Sequence, residues 1–154
     1  MCDKAITGPG NQGTPQIRLE PTTQAAREAR RFVSKALAEL GHADLVEDAR
    51  LIASELVSNS LIHAPNLPIW VGIWRTGAFL DLEVWDCSPK PPVYLDPDCL
   101  AESGRGLHIV KELCSSTGYT IFDCGKVVWA ILGLKRSWPP GISWINYSKG
   151  IGTR

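Results

Sequence analysis

The sequence predicts a two-layer α/β sandwich, an α+β fold with three helices on one face of a mixed, mostly antiparallel sheet. Three observations support this fold class. Some segments are amphipathic, with apolar residues at helical spacing. In others apolar and polar residues alternate, and tight turns join these segments in pairs. The length of 154 residues suits one domain. Hairpins produce antiparallel strands, and helices can cover one face of such a sheet. The 44% apolar and 21% charged residues are typical of a globular chain.

The first half of the chain predicts one short strand and two helices. Apolar and polar residues alternate in "QIRLE", which predicts an edge strand. The first helix opens after Pro21 and closes at Gly41. Asp44 is a candidate N-cap for the second helix, "LVEDARLIASELVSNSLIHA", which must end before Pro65.

The second half predicts two hairpins with a third helix between them. The first hairpin, "PIWVGIWRTGAFLDLEVWD", turns at residues 75–78. A long segment rich in Pro and Asp follows, and "GLHIVKELCSSTG" then has helical spacing. "YTIFDCG" and "VVWAILGL" form the second hairpin, with its turn at Gly125 and Lys126.

Composition predicts the organisation of the chain and excludes several classes of protein. Residues 1–15 are expected to be a flexible N-terminal tail, 16–134 the folded domain and 135–154 a C-terminal tail. A net charge of zero gives no global basic field for nucleic acid or an anionic membrane. No apolar run reaches the roughly 20 residues that span a bilayer. Five scattered cysteines without CxxC spacing, and no hydrophobic signal, predict a cytoplasmic protein.

The second predicted helix carries a carboxylate and an amide beside its apolar face. Glu55 and Asn59 are four residues apart, so both point the same way. A partly desolvated carboxylate is unfavourable without a partner. The pair is therefore either a polar boundary at the rim of the core or part of a binding site.

Asp86 ends a row of inward-facing residues. Period-two alternation places it on the same face as Leu80, Leu82 and Val84, at the end of the strand. A buried Asp in that place either caps the turn at Ser88 or accepts a hydrogen bond from a ligand.

A glycine-rich stretch, "ESGRGLHIV", stands immediately before the third predicted helix. Backbone N–H groups at the start of a helix have no partner within the helix and can bind phosphate oxygens. The guanidinium group of Arg105, between Gly104 and Gly106, adds further N–H donors. A flexible hinge is the alternative interpretation. Taken together, the Glu/Asn pair, the inward Asp and this loop predict a nucleotide pocket.

Four blocks in this order resemble the GHKL ATPase superfamily, which has the Bergerat ATP-binding fold. They are "ASELVSNSLIHA", "VWDCSPKPP", "ESGRGLHIVKEL" and "GKVVWAIL", and they fall within residues 16–134. The closer resemblance is to bacterial anti-sigma-factor serine/threonine kinases, in particular the short actinobacterial ATP-binding regulators. It implies binding of ATP and Mg²⁺ and transfer of the γ-phosphate to a Ser or Thr of an antagonist protein.

The same resemblance implies a role for each site residue. Glu55 would orient or deprotonate the nucleophile, Asn59 would hold Mg²⁺, and Asp86 would accept a hydrogen bond from the adenine amino group. Gly104 and Gly106 would surround the phosphates, and Arg105 would neutralise negative charge near the terminal phosphate. The resemblance also places Ser88 and Leu107 at the nucleotide. The implied partner is a sigma factor or an anti-anti-sigma antagonist, and a homodimer is left open.

Two positions depart from the family pattern. Ser88 stands where a glycine is usual, and Val127 where a threonine usually supports the adenine-binding Asp. These departures leave open a non-catalytic protein-interaction module of the same fold, with nucleotide as a structural ligand or absent. A detached sensor-kinase catalytic domain is a third hypothesis.

Three tryptophans are predicted on the face of the sheet away from the helices. Trp70, Trp74 and Trp85 alternate along the first hairpin. Three indoles on one face indicate either a surface for a partner or a surface covered by the C-terminal tail.

Overall fold

A computed structural model describes residues 15–92 and 106–134 of the chain. Both predicted tails therefore lie outside the described residues, apart from residue 15, and so do Gly104 and Arg105. In chain order the helices and strands are β1 (Gln16–Leu19), α1 (Ala25–Leu40), α2 (Val46–His63), β2 (Ile69–Thr76), β3 (Phe79–Asp86), α3 (Gly106–Leu113), β4 (Ser116–Phe122) and β5 (Gly125–Gly133).

The five strands form one sheet in the order β1-β2-β3-β5-β4. Every described strand pair is antiparallel, and β1 lies at an edge as predicted. The three helices and this open sheet confirm the predicted α+β sandwich. None of the described helices is both long enough and apolar enough to cross a membrane.

The core lies between the helices and one face of the sheet, here called the inner face. The apolar stripe predicted for α2 is buried, with Ile52, Ala53 and Leu56 at most 1% exposed. It packs with the inward row of β3 and the alternating apolar residues of β5. At the end of α1, Gly41 has φ 76°, a left-handed conformation that closes the helix as predicted.

The prediction that Asp44 caps α2 is wrong. A single 3₁₀ turn, Ala43–Leu45, precedes the helix, and Leu45 occupies the N-cap position without a side-chain hydrogen bond. Leu45 is 5% exposed, so burial of its side chain in the core favours this turn. Asp44 lies inside the turn and is exposed.

The predicted position of the second hairpin turn is also wrong. Asp123 and Cys124 form the turn, and β5 already begins at Gly125. The preceding strand, β4, begins at Ser116, earlier than the sequence predicted. Thr117 there donates a hydrogen bond to the Trp129 carbonyl over 2.7 Å, so residues assigned to the third helix belong to the sheet.

The opposite face of the sheet, here called the outer face, carries the three predicted tryptophans. Trp70, Trp74 and Trp85 pack with Val127, and all four are less than 9% exposed. The C-terminal tail, one of the two predicted occupants of this face, lies outside the described part of the chain.

Two acidic side chains share the outer face with the tryptophans. Asp81 pairs with Trp74 across β2, and Glu83 pairs with Trp129 across β5. Burial raises the pKa of Asp81 to about 6. Burial, together with the charge of Asp81, raises the pKa of Glu83 to about 8. At a pH between the unfolded and folded pKa values, these two carboxyls therefore keep protons in the folded protein that they would release in the unfolded chain.

These raised pKa values predict how stability changes with pH. A carboxyl whose pKa is higher in the folded state favours folding below its unfolded pKa, and this contribution is lost as pH rises through about 6 and about 8. We expect Glu83→Gln to raise the free energy of unfolding at about pH 9 by on the order of 2 kcal/mol, and Tm by about 6 °C. The same variant should match the wild type near about pH 4.

Thermal unfolding monitored by circular dichroism across this pH range tests the prediction. Glu112→Gln, at an exposed position on α3, is the matched control and should leave the pH profile unchanged. If Glu83→Gln gave the same profile as the wild type, the Glu83 carboxyl would not be the cause of the pH dependence.

Candidate functional site

A fully buried ion pair lies where β3 and β5 run side by side. Asp86 and Lys126 are directly paired across the two strands, and both side chains are 0% exposed. Lys126 Nζ donates to Asp86 Oδ1 over 2.8 Å, and the Ser88 N–H donates to the same oxygen over 2.9 Å. Lys126 Nζ also lies 3.4 Å from the Ser88 carbonyl oxygen. Two donors thus converge on one oxygen of the Asp86 carboxylate.

The second oxygen of that carboxylate has a different environment. Asp86 Oδ2 is buried and has no hydrogen-bond partner among the described residues. A buried acceptor without a partner is unfavourable by about 1–3 kcal/mol, so its presence needs an explanation. The two interpretations of Asp86 are therefore compatible. Oδ1 caps the turn at Ser88, while Oδ2 can accept a hydrogen bond from a ligand.

Gly125 allows the close approach of β5 to the end of β3. A Cβ at Gly125 would collide with the Asp86 carbonyl oxygen and would lie 3.0 Å from Cys87 Cα. Both are backbone atoms, which cannot move aside without displacing the strand. A residue without a side chain is therefore required immediately before Lys126 to keep Lys126 beside Asp86.

Val127 is not the residue that stands beside Asp86. Its strand partner is Trp85, and its side chain belongs to the cluster on the outer face. Lys126 occupies the inner face and is the group that supports Asp86. Val127 therefore does not contribute to the surroundings of Asp86.

Glu55 and Asn59 are both half-buried on α2, beside its apolar stripe. The start of α3 lies against Glu55. A Cβ at Gly106 would overlap Glu55 Oε2 and would lie 3.3 Å from Glu55 Cδ. Because Gly106 has no side chain, the backbone at the start of α3 can approach the Glu55 carboxylate.

A short connection links the end of α2 to the end of the sheet where Asp86 lies. Only five residues separate His63, the last residue of α2, from Ile69, and the strand partner of Ile69 is Asp86. Asn59 is one turn before the end of this helix, and α2 packs on β3 and α3. The elements that carry the predicted site residues are therefore neighbours in the fold.

The structure also describes two other predicted site residues, Ser88 and Leu107. Ser88 is 7% exposed and contacts Asp86, as described above. Leu107 is 3% exposed and forms part of the main core. The described residues contain no cluster of three or more His, Cys, Asp or Glu side chains that could hold a metal ion.

Lys126 is a residue of this site that the sequence-based predictions do not include. Alternation along "KVVWAIL" places Lys126 on the same face as Val128 and Ala130, which is the pattern that identified Asp86. The predicted hairpin turn at Gly125 and Lys126 conceals this signal, because Lys126 lies in β5. A lysine at the end of an inward-facing row therefore indicates a buried acidic partner.

The comparisons with known proteins identify the class to which this fold and site belong. The family model described as the histidine kinase-like ATPase domain matches residues 19–132, well over half of the chain. The protein belongs to the histidine kinase-like ATPase domain family, which implies nucleotide binding. This confirms the predicted resemblance to the GHKL superfamily.

Solved structures also match the chain. One is the crystal structure of the RsbU and RsbW domains of Rv1364c from Mycobacterium tuberculosis. It is 22% identical with a TM-score of 0.57, and the match covers 78% of this chain and 32% of that one. The likeness is one of fold, and it spans about a third of the length of that chain. None of the curated proteins that were compared matches the sequence.

Proposed function

We propose that this protein is an ATP-binding regulator that transfers the γ-phosphate of ATP to a Ser or Thr hydroxyl of a regulatory protein. The observation that carries the proposal is the buried Asp86 Oδ2, which has no partner among the described residues. Such an oxygen suits a hydrogen-bond donor on a ligand, and the amino group of adenine is one. Membership of the ATPase-domain family supports a nucleotide as that ligand.

In this proposal the phosphates extend from Asp86 towards α2 and the start of α3. Asn59 would hold Mg²⁺ through its amide oxygen. One protein ligand together with phosphate and water oxygens suits Mg²⁺, which keeps much of its own hydration shell. Gly104, Gly106 and Arg105 would contact the phosphates, while Ser88 and Leu107 would help to shape the site.

The proposed reaction needs few protein groups. The hydroxyl oxygen of the acceptor attacks the γ-phosphorus, a new P–O bond forms, and the bond to the oxygen bridging the β- and γ-phosphates breaks. ADP leaves with that oxygen. Glu55 would take the proton of the hydroxyl, directly or through one water, and Arg105 would neutralise charge on the transferred group.

The proposed setting follows from the resemblance. The acceptor would be an anti-anti-sigma antagonist, and the protein held by the regulator would be a sigma factor. The ATPase domain would comprise residues 16–134, flanked by tails at 1–15 and 135–154. We propose a cytoplasmic protein that contacts neither nucleic acid nor membrane directly.

Calorimetric titration of the full chain with ATP, with and without Mg²⁺, tests the first step of the proposal. We expect binding that is about tenfold tighter with Mg²⁺, because the ion links Asn59 to the phosphates. In Asn59→Ala this dependence on Mg²⁺ should be lost. Asn66→Gly is the matched control, since Asn66 is an exposed loop residue whose φ of 65° suits glycine. Absence of heat and of any thermal shift in the wild type would leave only the protein-interaction module.

Gly106→Ala tests whether the start of α3 must stay close to Glu55. The added Cβ would push away the flexible Glu55 carboxylate, so we expect a stability loss of at most about 1 kcal/mol. Phosphoryl transfer should nevertheless fall at least about tenfold, because the base is displaced. ATP hydrolysis without a partner protein measures this effect. Unchanged hydrolysis would exclude a catalytic role for the Glu55 carboxylate in its present position.

A further inference from the structure

The outer face of the sheet is buried although no described helix contributes to it. Trp70, Trp74 and Trp85 are between 5% and 8% exposed. The cluster to which they belong contains no residue of a described helix. An antiparallel sheet with helices on one face commonly has its other face in water. Side chains as large as indoles do not reach such low exposure by packing side by side, so a further layer must lie over them.

The outer face also has polar atoms that this layer must satisfy. Asp81 Oδ1 and Trp85 Nε1 are both buried and have no hydrogen-bond partner among the described residues. The first needs a donor and the second an acceptor. Glu83 lies between them on β3 and adds a second half-buried carboxyl. The covering layer must therefore be apolar over the indoles and must bring donors, preferably cationic ones, to the carboxyls.

We propose that the C-terminal tail, residues 135–154, folds back and covers the outer face of its own sheet. The tail has four basic residues and no acidic one, so its charge is opposite to that of the carboxyls. Its aromatic residues are Trp138, Trp144 and Tyr147, which suit a surface of indoles. This inference does not depend on the proposed nucleotide site.

The other segments outside the described residues match the outer face less well. Residues 93–105 carry three acidic side chains and one basic side chain, so they would bring like charge to Asp81 and Glu83. Residues 1–14 contain no aromatic side chain. The C-terminal tail is therefore the segment whose chemistry fits both the indoles and the carboxyls.

The tail also begins at a suitable place. The Leu134 N–H donates to the Ala78 carbonyl oxygen over 3.0 Å, beside the turn of the first hairpin. Asp81 is three residues further along the chain, about 10 Å from that turn. The long side chains of Lys135 and Arg136 can therefore reach Asp81 Oδ1. Twenty residues extend up to about 65 Å, more than twice the length of about 26 Å that β3 spans.

Acrylamide quenching of tryptophan fluorescence in the full chain tests the proposal through the sign of a change. Trp138→Ser/Trp144→Ser removes two indoles of the proposed cover and keeps the four tryptophans of the sheet. We expect the average quenching constant to rise about threefold, because acrylamide then reaches the outer face. If the tail lay in solvent, the variant would lose its two most accessible indoles and the constant would fall. A fall or an unchanged constant overturns the proposal.

Two controls accompany this measurement. Ser137→Ala/Ser143→Ala changes the same tail without touching its aromatic residues, and it should leave the quenching constant within about 20% of the wild type. The wild-type constant should also stay the same on dilution from about 100 to about 1 μM, because a cover from the same chain does not dissociate. A constant that rises on dilution would assign the face to a second copy and overturn the proposal.

Trypsin cleavage of the wild type remains decisive if the double variant does not fold. The tail offers cleavage sites after Lys135, Arg136 and Lys149. Cleavage requires the tail to leave the sheet, so we expect it to be at least about tenfold slower than in a free peptide of residues 135–154. Slowing by less than this would overturn the proposal.

Discussion

Replacing Lys126 by methionine is expected to lower the free energy of unfolding by about 3–5 kcal/mol. The substitution leaves the fully buried Asp86 carboxylate without its charged partner, and breaking a buried pair in this way is strongly destabilising. Methionine fills a similar volume, so loss of packing is a minor part of the effect. Urea unfolding monitored by fluorescence of the buried tryptophans measures it.

Two further variants show whether the lost charge pairing is the cause. Asp86→Asn/Lys126→Met removes both charges and should recover most of the stability, because replacing a whole buried pair by neutral groups is often close to neutral. Lys35→Met is the matched control, since the Lys35 side chain is 80% exposed, and it should change stability by less than about 0.5 kcal/mol. A loss of under about 1 kcal/mol in Lys126→Met would contradict the buried ion pair.

Glu55→Gln is expected to slow phosphoryl transfer by about 10²- to 10⁴-fold while leaving the affinity for ATP within about twofold. Glutamine keeps the size and polarity of the side chain but cannot accept the proton of the nucleophile. The effect should fall on the rate of the chemical step and not on binding, because Glu55 is proposed to act on the attacking group. Release of ADP under single-turnover conditions, with water as the acceptor, measures the rate without a partner protein.

Glu47→Gln is the matched control for this measurement. Glu47 lies in the first turn of the same helix and is exposed, with an ion pair to Arg50 at 3.3 Å. It should leave both rate and affinity unchanged. Equal rates for Glu55→Gln and the wild type would remove Glu55 from the proposed chemistry, whereas loss of ATP binding would move it to a binding role.

Most of the fold was predictable because its elements are strongly periodic. The stripe of α2 and the alternation of β3 each specify one buried face, and Gly41 and Pro65 mark helix ends through simple backbone rules. The errors fell at boundaries. Burial of Leu45 favoured a 3₁₀ turn over an Asp44 cap, and pairing with β5 extended β4 into residues that could equally continue a helix.

The candidate site was predictable in part. Asp86 followed from strand alternation alone, and Glu55 and Asn59 followed from their place beside an apolar stripe. The pairing of Asp86 with Lys126 was not predicted, because it depends on the register of two strands 40 residues apart in sequence. The contact between Glu55 and Gly106 likewise depends on how α3 packs against α2, which no local pattern specifies.

The central claim is that Asp86 Oδ2 receives the base of a nucleotide whose phosphates lie near Asn59 and Gly106. A crystal structure of the protein with a non-hydrolysable ATP analogue and Mg²⁺ tests it most directly. We expect the 6-amino nitrogen within about 2.7–3.2 Å of Oδ2, and the metal ion bound by the Asn59 amide oxygen. A base bound elsewhere, with Oδ2 still lacking a partner, would contradict the claim.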